Sequence, residues 1–212
     1  MDNFKRKYFY RNIVQLIFLL IFVFLAFKGK AQLWIVIFGL SLLVSLIWGR
    51  FYCGWICPIN TVLRIKKWIY TKLNIEEIST LTFIKKAWLR WLILVLFIVT
   101  MVISNRNNIQ FNMLLYVLIL AFVISLIFDE ETWHKYLCPY GALLSATNKV
   151  NNKYMLIDEE KCRKCGLCAE NCPNNIITIT KEKQSINSGE CLYCFKCQEV
   201  CEFDAISYQN VK

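Results

Sequence analysis

Four long apolar stretches, separated by short polar segments, dominate the N-terminal part of the chain. They run over residues 13–27, 31–48, 87–104 and 111–128. A helix needs about 20 apolar residues to cross a bilayer, so each stretch is long enough, or nearly so, for a transmembrane span. Short connections at 28–30 and 105–110 join the spans into two hairpins. The pattern therefore predicts an α-helical membrane bundle of four transmembrane helices.

Basic residues around these stretches predict the topology, because Lys and Arg near span ends stay on the cytoplasmic side. Four of them precede the first stretch and eight lie between residues 49 and 90, against three on the opposite side. The first stretch also resembles a signal peptide, but no small-x-small cleavage site follows it and another span begins at once. We therefore expect a multi-pass protein of the prokaryotic inner membrane with both termini in the cytoplasm.

The inner loop at 58–86 contains a second kind of hydrophobic pattern. Between residues 60 and 73, Val62, Ile65, Ile69 and Leu73 share one helical stripe, while basic residues occupy the rest of the helix surface. This pattern is typical of a basic amphipathic helix that lies on the membrane surface. The alternative is a helix that packs on the soluble part of the protein.

From about residue 152 the pattern changes to short segments that favour β-structure, at 154–158, 176–180, 184–187 and 205–208. We divide the chain into a transmembrane domain at 1–149 and a small α+β domain at 150–212. Sixty residues of this composition bury little apolar core, so we expect bound metal clusters to organise the second domain.

Two copies of C-x2-C-x2-C-x3-C occur in this part, and each copy lies between two of these β-segments. In such runs three thiolates hold one [4Fe-4S] cluster and the fourth ligates the neighbouring cluster. The predicted ligands of the first cluster are Cys162, Cys165, Cys168 and Cys201, and those of the second are Cys191, Cys194, Cys197 and Cys172. A zinc site would use pairs of cysteines with longer gaps, and disulfides would need an oxidising compartment. The spacing thus favours a bacterial-type two-cluster ferredoxin domain that transfers single electrons.

Three further cysteines, Cys53, Cys57 and Cys138, lie at the predicted inner ends of spans. Cys57 and Cys138 are followed by proline, as Cys172 is, and these are the three prolines of the chain. Proline fixes φ and removes an N–H group, so these positions share a backbone role. With His134 the three thiols form a candidate third redox or metal site for iron–sulfur, zinc or copper. The alternative is that they are small apolar residues at helix ends.

Composition and charge exclude several classes of protein. The chain is 57% hydrophobic and carries a net charge of +10. Residues 1–149 hold 17 Lys and Arg against 6 Asp and Glu, whereas residues 150–212 hold 8 against 9. Because the excess cations flank apolar stretches, the expected partner is membrane lipid and not nucleic acid. With one histidine, no phosphate-binding Gly-rich loop and no nucleophile elbow, the chain lacks ordinary catalytic motifs.

With these motifs the chain resembles the NapH-like and NosR-like membrane polyferredoxins over nearly its whole length. The resemblance rests on C-G-W-I-C-P at 53–58, on C-P-Y-G-A at 138–142 and on all eight ferredoxin cysteines. It implies electron transfer between membrane quinol and another redox carrier, as a quinol dehydrogenase-like subunit, or support for the maturation of a respiratory enzyme. Family members generally have a cysteine at the position of His134, and Glu202 replaces the expected proline after Cys201.

Three functions follow as hypotheses. We favour a membrane electron-transfer protein that passes electrons between cytoplasmic [4Fe-4S] clusters and a quinone or a partner redox protein. Aromatic residues near the inner interface could receive a quinone headgroup, although such residues line membrane interfaces routinely. These are Trp48, Tyr52, Trp55, Trp133 and Tyr136. The alternatives are an accessory factor for a respiratory metalloenzyme and a redox sensor or scaffold with structural clusters.

Overall fold

The first part of the chain is helical in the computed structural model, which describes residues 2–107, 113–148, 150–180 and 184–210. Its helices are α1 (Asp2–Phe27), α2 (Trp34–Trp48), α3 (Phe51–Trp55), α4 (Pro58–Leu73), α5 (Ala87–Arg106), α6 (Met113–Ser125) and α7 (Pro139–Asn148). A 3-10 turn at Ala31–Leu33 precedes α2, and a π-helical turn at Thr132–Leu137 precedes α7.

Three of the four predicted spans are confirmed as helices long and apolar enough to cross a membrane. They are Phe9–Phe27, Ala31–Trp48 and Trp88–Arg106. The fourth apolar helix, α6, has only 13 residues, which rise about 20 Å against a hydrocarbon core of about 30 Å. Residues 108–112, where the fourth predicted span begins, lie outside the described residues. A count of four spans therefore stays a prediction.

The end of α6 differs from the prediction, which extended the fourth span to residue 128. The helix stops at Ser125 because Phe128 leaves it and pairs in parallel with Ile78 of the inner loop. Backbone bonds from Ile78 N to Ile127 O (3.0 Å) and from Asp129 N to Ile78 O (3.2 Å) hold this bridge. A local apolar run cannot reveal this pairing, since the partner lies in a distant part of the sequence.

The hairpin between α1 and α2 ends α1 in a way that the sequence explains. Gly29 has a φ of +68°, which only glycine adopts without steric cost. The N–H of Lys30 then donates to Leu25 O at 2.9 Å and that of Gly29 to Ala26 O at 3.0 Å. This is the Schellman arrangement that satisfies the last carbonyls of a helix.

The long helices present apolar side chains outward as well as inward. A contiguous apolar surface of this extent does not occur on soluble monomers, and it fits a helix surrounded by lipid. The exposed side chains include Leu20 and Phe24 of α1, Leu40, Leu43 and Ile47 of α2, and Val95, Leu96 and Val102 of α5. The membrane assignment is thus supported by the packing as well as by composition.

The predicted amphipathic helix is confirmed as a helix, α4, which starts two residues early at Pro58. It packs against α1 and α6, with Ile59 and Leu63 fully buried. Ile65 and Ile69 of the predicted apolar stripe are exposed on its other side. Its position on the membrane surface is therefore still a prediction, but one side of it belongs to the helical bundle.

The second part of the chain contains four short strands near the predicted β-segments, and they pair as two small antiparallel sheets. Strand β1 (Lys153–Ile157) pairs with β4 (Ile206–Asn210), and β2 (Ile177–Ile179) pairs with β3 (Gln184–Ile186). Two four-residue helices, α8 (Leu167–Glu170) and α9 (Lys196–Glu199), lie within the cysteine runs. The core between the sheets contains Met155, Ile176, Ile177, Cys191, Tyr193 and Ile206.

The two parts interlock at one end of the helical bundle. Leu192 of the second part is buried in the core of the first, in the same cluster as Cys53 and Cys57. In the other direction, Phe51 of α3 stacks on Tyr193, with ring centroids 5.5 Å apart and an interplanar angle of 9°. The cysteine runs are therefore held against the membrane part and do not hang from it on a linker.

Candidate iron–sulfur sites

The first predicted ligand set comes together around one cavity. Cys162, Cys165, Cys168 and Cys201 all line it. Left-handed backbone at Lys164 (φ 55°) and at Gly166 (φ 84°) wraps the chain around the cavity between the first three cysteines. Cys165 is exposed and the other three are half-buried. This set therefore lies near the protein surface.

The second predicted set lines a second cavity. Cys172, Cys191, Cys194 and Cys197 contribute their thiols to it. Cys191 is buried, its sulfur accepts the N–H of Tyr193 at 3.4 Å, and burial raises the pKa of its thiol. Cys197 lies close to Cys168 of the first set as well as to its own partners. The two cavities are thus neighbours, and the second is the more deeply buried.

The grouping of the thiols fits two clusters with exchanged fourth ligands. Cys172 comes from the first run but joins the second set, and Cys201 comes from the second run but joins the first. Four soft sulfur donors around a cavity are the ligand set of a [4Fe-4S] cluster. In the described part of the chain, no three His, Cys, Asp or Glu side chains are close enough to hold one metal ion.

Two of the three cysteine-proline pairs share one backbone arrangement. Cys57 and Cys138 are the residues directly before α4 and α7, and the proline after each occupies the first helical position. That position tolerates proline because its N–H has no partner within the helix. The sulfur of Cys57 accepts N–H groups of Ile59 and Asn60, and that of Cys138 accepts the N–H of Gly141 at 3.3 Å.

Cys172 shares the sulfur contacts of this arrangement but not the helix. Its sulfur accepts backbone N–H groups from Asn174, Asn175 and Ile176, and the residues after Pro173 form a turn.

The three thiols of the helical part are brought together by the fold. Cys53, Cys57 and Cys138 are each 6% exposed, and their charges act on one another. Burial raises the pKa of Cys138 to about 11, while the nearby guanidinium groups of Arg50 and Arg90 act in the opposite direction. We call these three cysteines the thiol triad.

His134, the fourth candidate, lies beside Arg50 next to the triad. Its side chain is buried and its Nε2 has no hydrogen-bond partner among the described residues. Burial and the charge of Arg50 lower its pKa to about 3, so the imidazole is neutral at physiological pH. A neutral imidazole is able to bind metal, and its role stays a prediction.

Two arginines and one glutamate, which the sequence analysis missed, connect the triad to the second set. Arg50 donates from Nη1 to Glu190 Oε2 at 2.9 Å, and Arg90 donates from Nη1 to Glu190 Oε1 at 2.6 Å. Arg90 also donates to Gly141 O at 2.7 Å. Glu190 directly precedes Cys191. The position of Glu190 next to a predicted ligand was the signal available in the sequence.

Contacts around the segment 53–58 bring the helical part directly against the second set. Trp55 donates to Tyr193 O at 3.1 Å, and Arg11 donates to Cys194 O. The backbone of Gly54 touches the loop between Cys191 and Cys194 so closely that a β-carbon has no room. The second ligand set is therefore in direct backbone contact with the segment that carries two of the triad thiols.

The aromatic residues that the sequence analysis placed at the inner interface differ in their solvent exposure. Trp48 is exposed, whereas Tyr52 and Trp133 are buried. Trp55 and Tyr136 are half-buried. Their role in receiving a quinone headgroup stays a prediction.

Comparison with known families divides the chain at the same place. A model described as a 4Fe-4S binding domain matches residues 31–76 and 111–154. A model described as a 4Fe-4S dicluster domain matches residues 154–202. All eight ferredoxin cysteines fall within the second match, and the thiol triad falls within the first.

Several relatives align with most of the chain. An uncharacterised protein of Methanocaldococcus jannaschii is 27% identical over 228 residues, covering 93% of this chain and 94% of that protein. The ferredoxin-type protein NapH of Haemophilus influenzae is 27% identical, covering 76% of this chain and 62% of NapH. The methylamine utilization ferredoxin-type protein MauN of Methylobacillus flagellatus is 28% identical, covering 59% of this chain and 48% of MauN. No solved structure matches the chain.

Proposed function

We propose that this chain, which belongs to the NapH-like family of membrane polyferredoxins, carries electrons between a soluble redox partner and the membrane. It is an iron–sulfur electron-transfer protein of the NapH and MauN type. A bound [4Fe-4S] cluster accepts and releases one electron at a time. The residues that hold the two clusters are Cys162, Cys165, Cys168 and Cys201, and Cys172, Cys191, Cys194 and Cys197.

One observation carries the proposal: the two ligand sets are neighbours, and the second of them is docked on the helical part. Leu192, between two ligands of the second set, is buried in the core of the helices. Cys165 of the first set is exposed at the protein surface. The arrangement supports exchange with a soluble partner at the first set and exchange with the membrane at the second.

The acceptor or donor in the membrane is a quinone or a partner redox protein. Trp48 is exposed at this interface and is therefore accessible to a quinone or to a partner protein. Tyr52 is buried, and its hydroxyl accepts the Trp34 indole N–H at 2.8 Å. Excess positive charge between residues 49 and 90 supports a cytoplasmic position for the ferredoxin part. The inner membrane is the expected location.

Reconstituted protein tests the proposal. The full chain is placed in anaerobic liposomes, its clusters are reduced with dithionite, and excess reductant is removed. We expect the cluster absorbance to recover and the EPR signals of the reduced clusters to disappear when a water-insoluble quinone is added. The same preparation is then offered soluble redox proteins from the outside. Clusters that react with neither class of partner would contradict electron transfer as the function.

The test separates the two membrane partners. Reoxidation by a quinone in protein-free lipid supports direct exchange with the quinone pool. Reoxidation only when a second membrane redox protein is included supports a relay to that protein. A Ser41→Ala variant is a matched control, since the Ser41 hydroxyl donates to Ile37 O of its own helix and Ser41 lines neither ligand cavity.

A further inference from the structure

The thiol triad gathers three buried thiols at the start of two helices. We infer that Cys53, Cys57 and Cys138 ligate a third iron–sulfur cluster, which lies between the second ligand set and the membrane. All three side chains are buried at 6% exposure, and they come from two motifs that are far apart in the sequence. The inference extends the proposed function and rests on it, since it names a binding site at the membrane end of the same route.

Two helix N-termini are directed at the triad. Cys57 and Cys138 each precede a helix of 16 or 10 residues and receive N–H groups from its first turn. The positive end of a helix favours anionic groups, and thiolates are the form in which cysteine binds iron. Neutral thiols would gain little from this geometry. Backbone N–H groups also contact the sulfur of Cys172 in the second ligand set, there from a turn.

One buried and one half-buried guanidinium group, those of Arg50 and Arg90, add further positive charge. Arg50 is completely buried, lies beside Cys53, and its Nη2 is 3.1 Å from the position that a β-carbon on Gly141 would take. Its Nε and Nη2, together with Nε of Arg90, have no oxygen acceptor among the described residues. Glu190 neutralises only one of these two charges.

Donors of this kind are costly when they are buried without a partner. Thiolates and the inorganic sulfides of a cluster supply both the acceptors and the negative charge that this pair of arginines lacks. A cluster held by the three cysteines therefore gives the arginine N–H groups more acceptors, and compensates more of their charge, than three thiols alone. A cluster with three protein thiolates leaves one position for another ligand, and His134 is a neighbour.

The alternatives make different demands on the same residues. A single zinc or copper ion would use the same three thiols but would bring no sulfide acceptors for the arginine N–H groups. A disulfide would use two of the thiols and would leave the arginines as uncompensated as before. The 4Fe-4S binding model that matches residues 31–76 and 111–154 contains these three cysteines and none of the other eight.

Iron content of the full chain tests the inference without any assay of activity. The wild-type protein and a C53S/C57S/C138S variant are purified anaerobically in detergent, and iron and acid-labile sulfide are measured per chain. Two [4Fe-4S] clusters account for about eight irons, and a third cluster raises this to about eleven or twelve. We expect about 1.4-fold more iron in the wild type than in the variant. The ferredoxin EPR signals persist in the variant and report that it is folded.

The outcomes separate this inference from the proposed function. About eight irons per chain in the wild type, equal to the count in the variant, would overturn the third cluster and leave electron exchange by the other two intact. Three clusters that exchange electrons with no partner would instead contradict the proposed function. If the triple variant does not fold, Mössbauer spectra of the wild type decide, because a third cluster adds a component beyond those of two cubes. The Ser41→Ala protein should keep the wild-type iron content.

Discussion

Replacement of Gly54 by alanine tests whether the second ligand set must touch the helical part. A β-carbon at this position would lie less than 3.0 Å from Leu192 O and 3.2 Å from both Cα and N of Cys194. Ordinary contact begins at 3.4 Å, so the loop that carries Cys194 must retreat from Gly54 to admit the methyl group. The obstructing atoms are backbone, which cannot rotate away as a side chain can.

The magnitude follows from opposing contributions. Alanine is more favourable than glycine within a helix by about 1 kcal/mol, so the substitution by itself stabilises the short helix α3. Overpacking a filled site costs about 1–3 kcal/mol, and partial withdrawal of Leu192 from the helical core forfeits part of the roughly 1.5–3 kcal/mol that burying a leucine gives. The net expectation is a loss of about 2 kcal/mol, or roughly thirtyfold in the equilibrium between docked and undocked ferredoxin parts.

The assay is reoxidation of reduced clusters by a membrane quinone, together with thermal unfolding in detergent. We expect Gly54→Ala to keep its ferredoxin iron and EPR signals but to unfold at a lower temperature and to reoxidise more slowly. Gly39→Ala is the matched control, since Gly39 lies in the apolar helix α2 and a β-carbon there meets nothing within 4 Å. If Gly54→Ala reoxidises and unfolds as the wild type does, the direct contact has no part in function.

Four further predictions address the ligands and the buried charges. Cys201→Ser should alter the EPR signal of the more exposed cluster, and Cys172→Ser that of the other; the reverse pattern would contradict the exchanged ligands. Glu190→Gln removes the carboxylate that pairs with both arginines and should cost about 3 kcal/mol at pH 7. These arginines lower the pKa of Glu190 from its usual value of 4.5. The difference in thermal stability between the wild type and Glu190→Gln should therefore shrink as the pH falls below 4.5, where the carboxylate becomes protonated. A difference that does not depend on pH would refute the ion pair. Burial raises the pKa of Glu130 to about 7. The folded state therefore favours the protonated carboxyl, and wild-type stability falls as the pH rises towards about 7. Glu130→Gln cannot ionise, so its melting temperature should rise relative to that of the wild type between about pH 5 and pH 8. Removal of iron by a chelator should abolish the circular dichroism of strands β1 to β4 while the helical signal remains, and retention of the strand signal would contradict the structural role of the clusters.

The ferredoxin part was largely predictable because its determinants are local. The spacing of eight cysteines in two runs predicts Cys172 in the second set and Cys201 in the first, and these residues line the second and the first cavity respectively. Cluster binding by the two sets stays a prediction. The four predicted strands overlap the observed ones, with small differences at their ends. The three long spans were predictable for the same reason, since each is a continuous apolar run.

What the sequence could not reveal depends on contacts between distant residues. α6 stops at Ser125 because Phe128 pairs with Ile78, and no local pattern records that pairing. The link between Arg50 and Glu190 joins residues 140 positions apart. The cysteine-proline pairs marked the thiol triad in advance, but its charged surroundings emerged only when the two parts of the chain were seen together.

The reciprocal exchange of Leu192 and Phe51 also bears on how the protein is used by its partners. Each part fills the other's interior with an aromatic or aliphatic side chain, so separating them would expose both interiors to water. Swinging-arm carriers depend on a tether that lets the cofactor travel. Here the ferredoxin part is fixed to the helical part, so the redox partner has to diffuse to it.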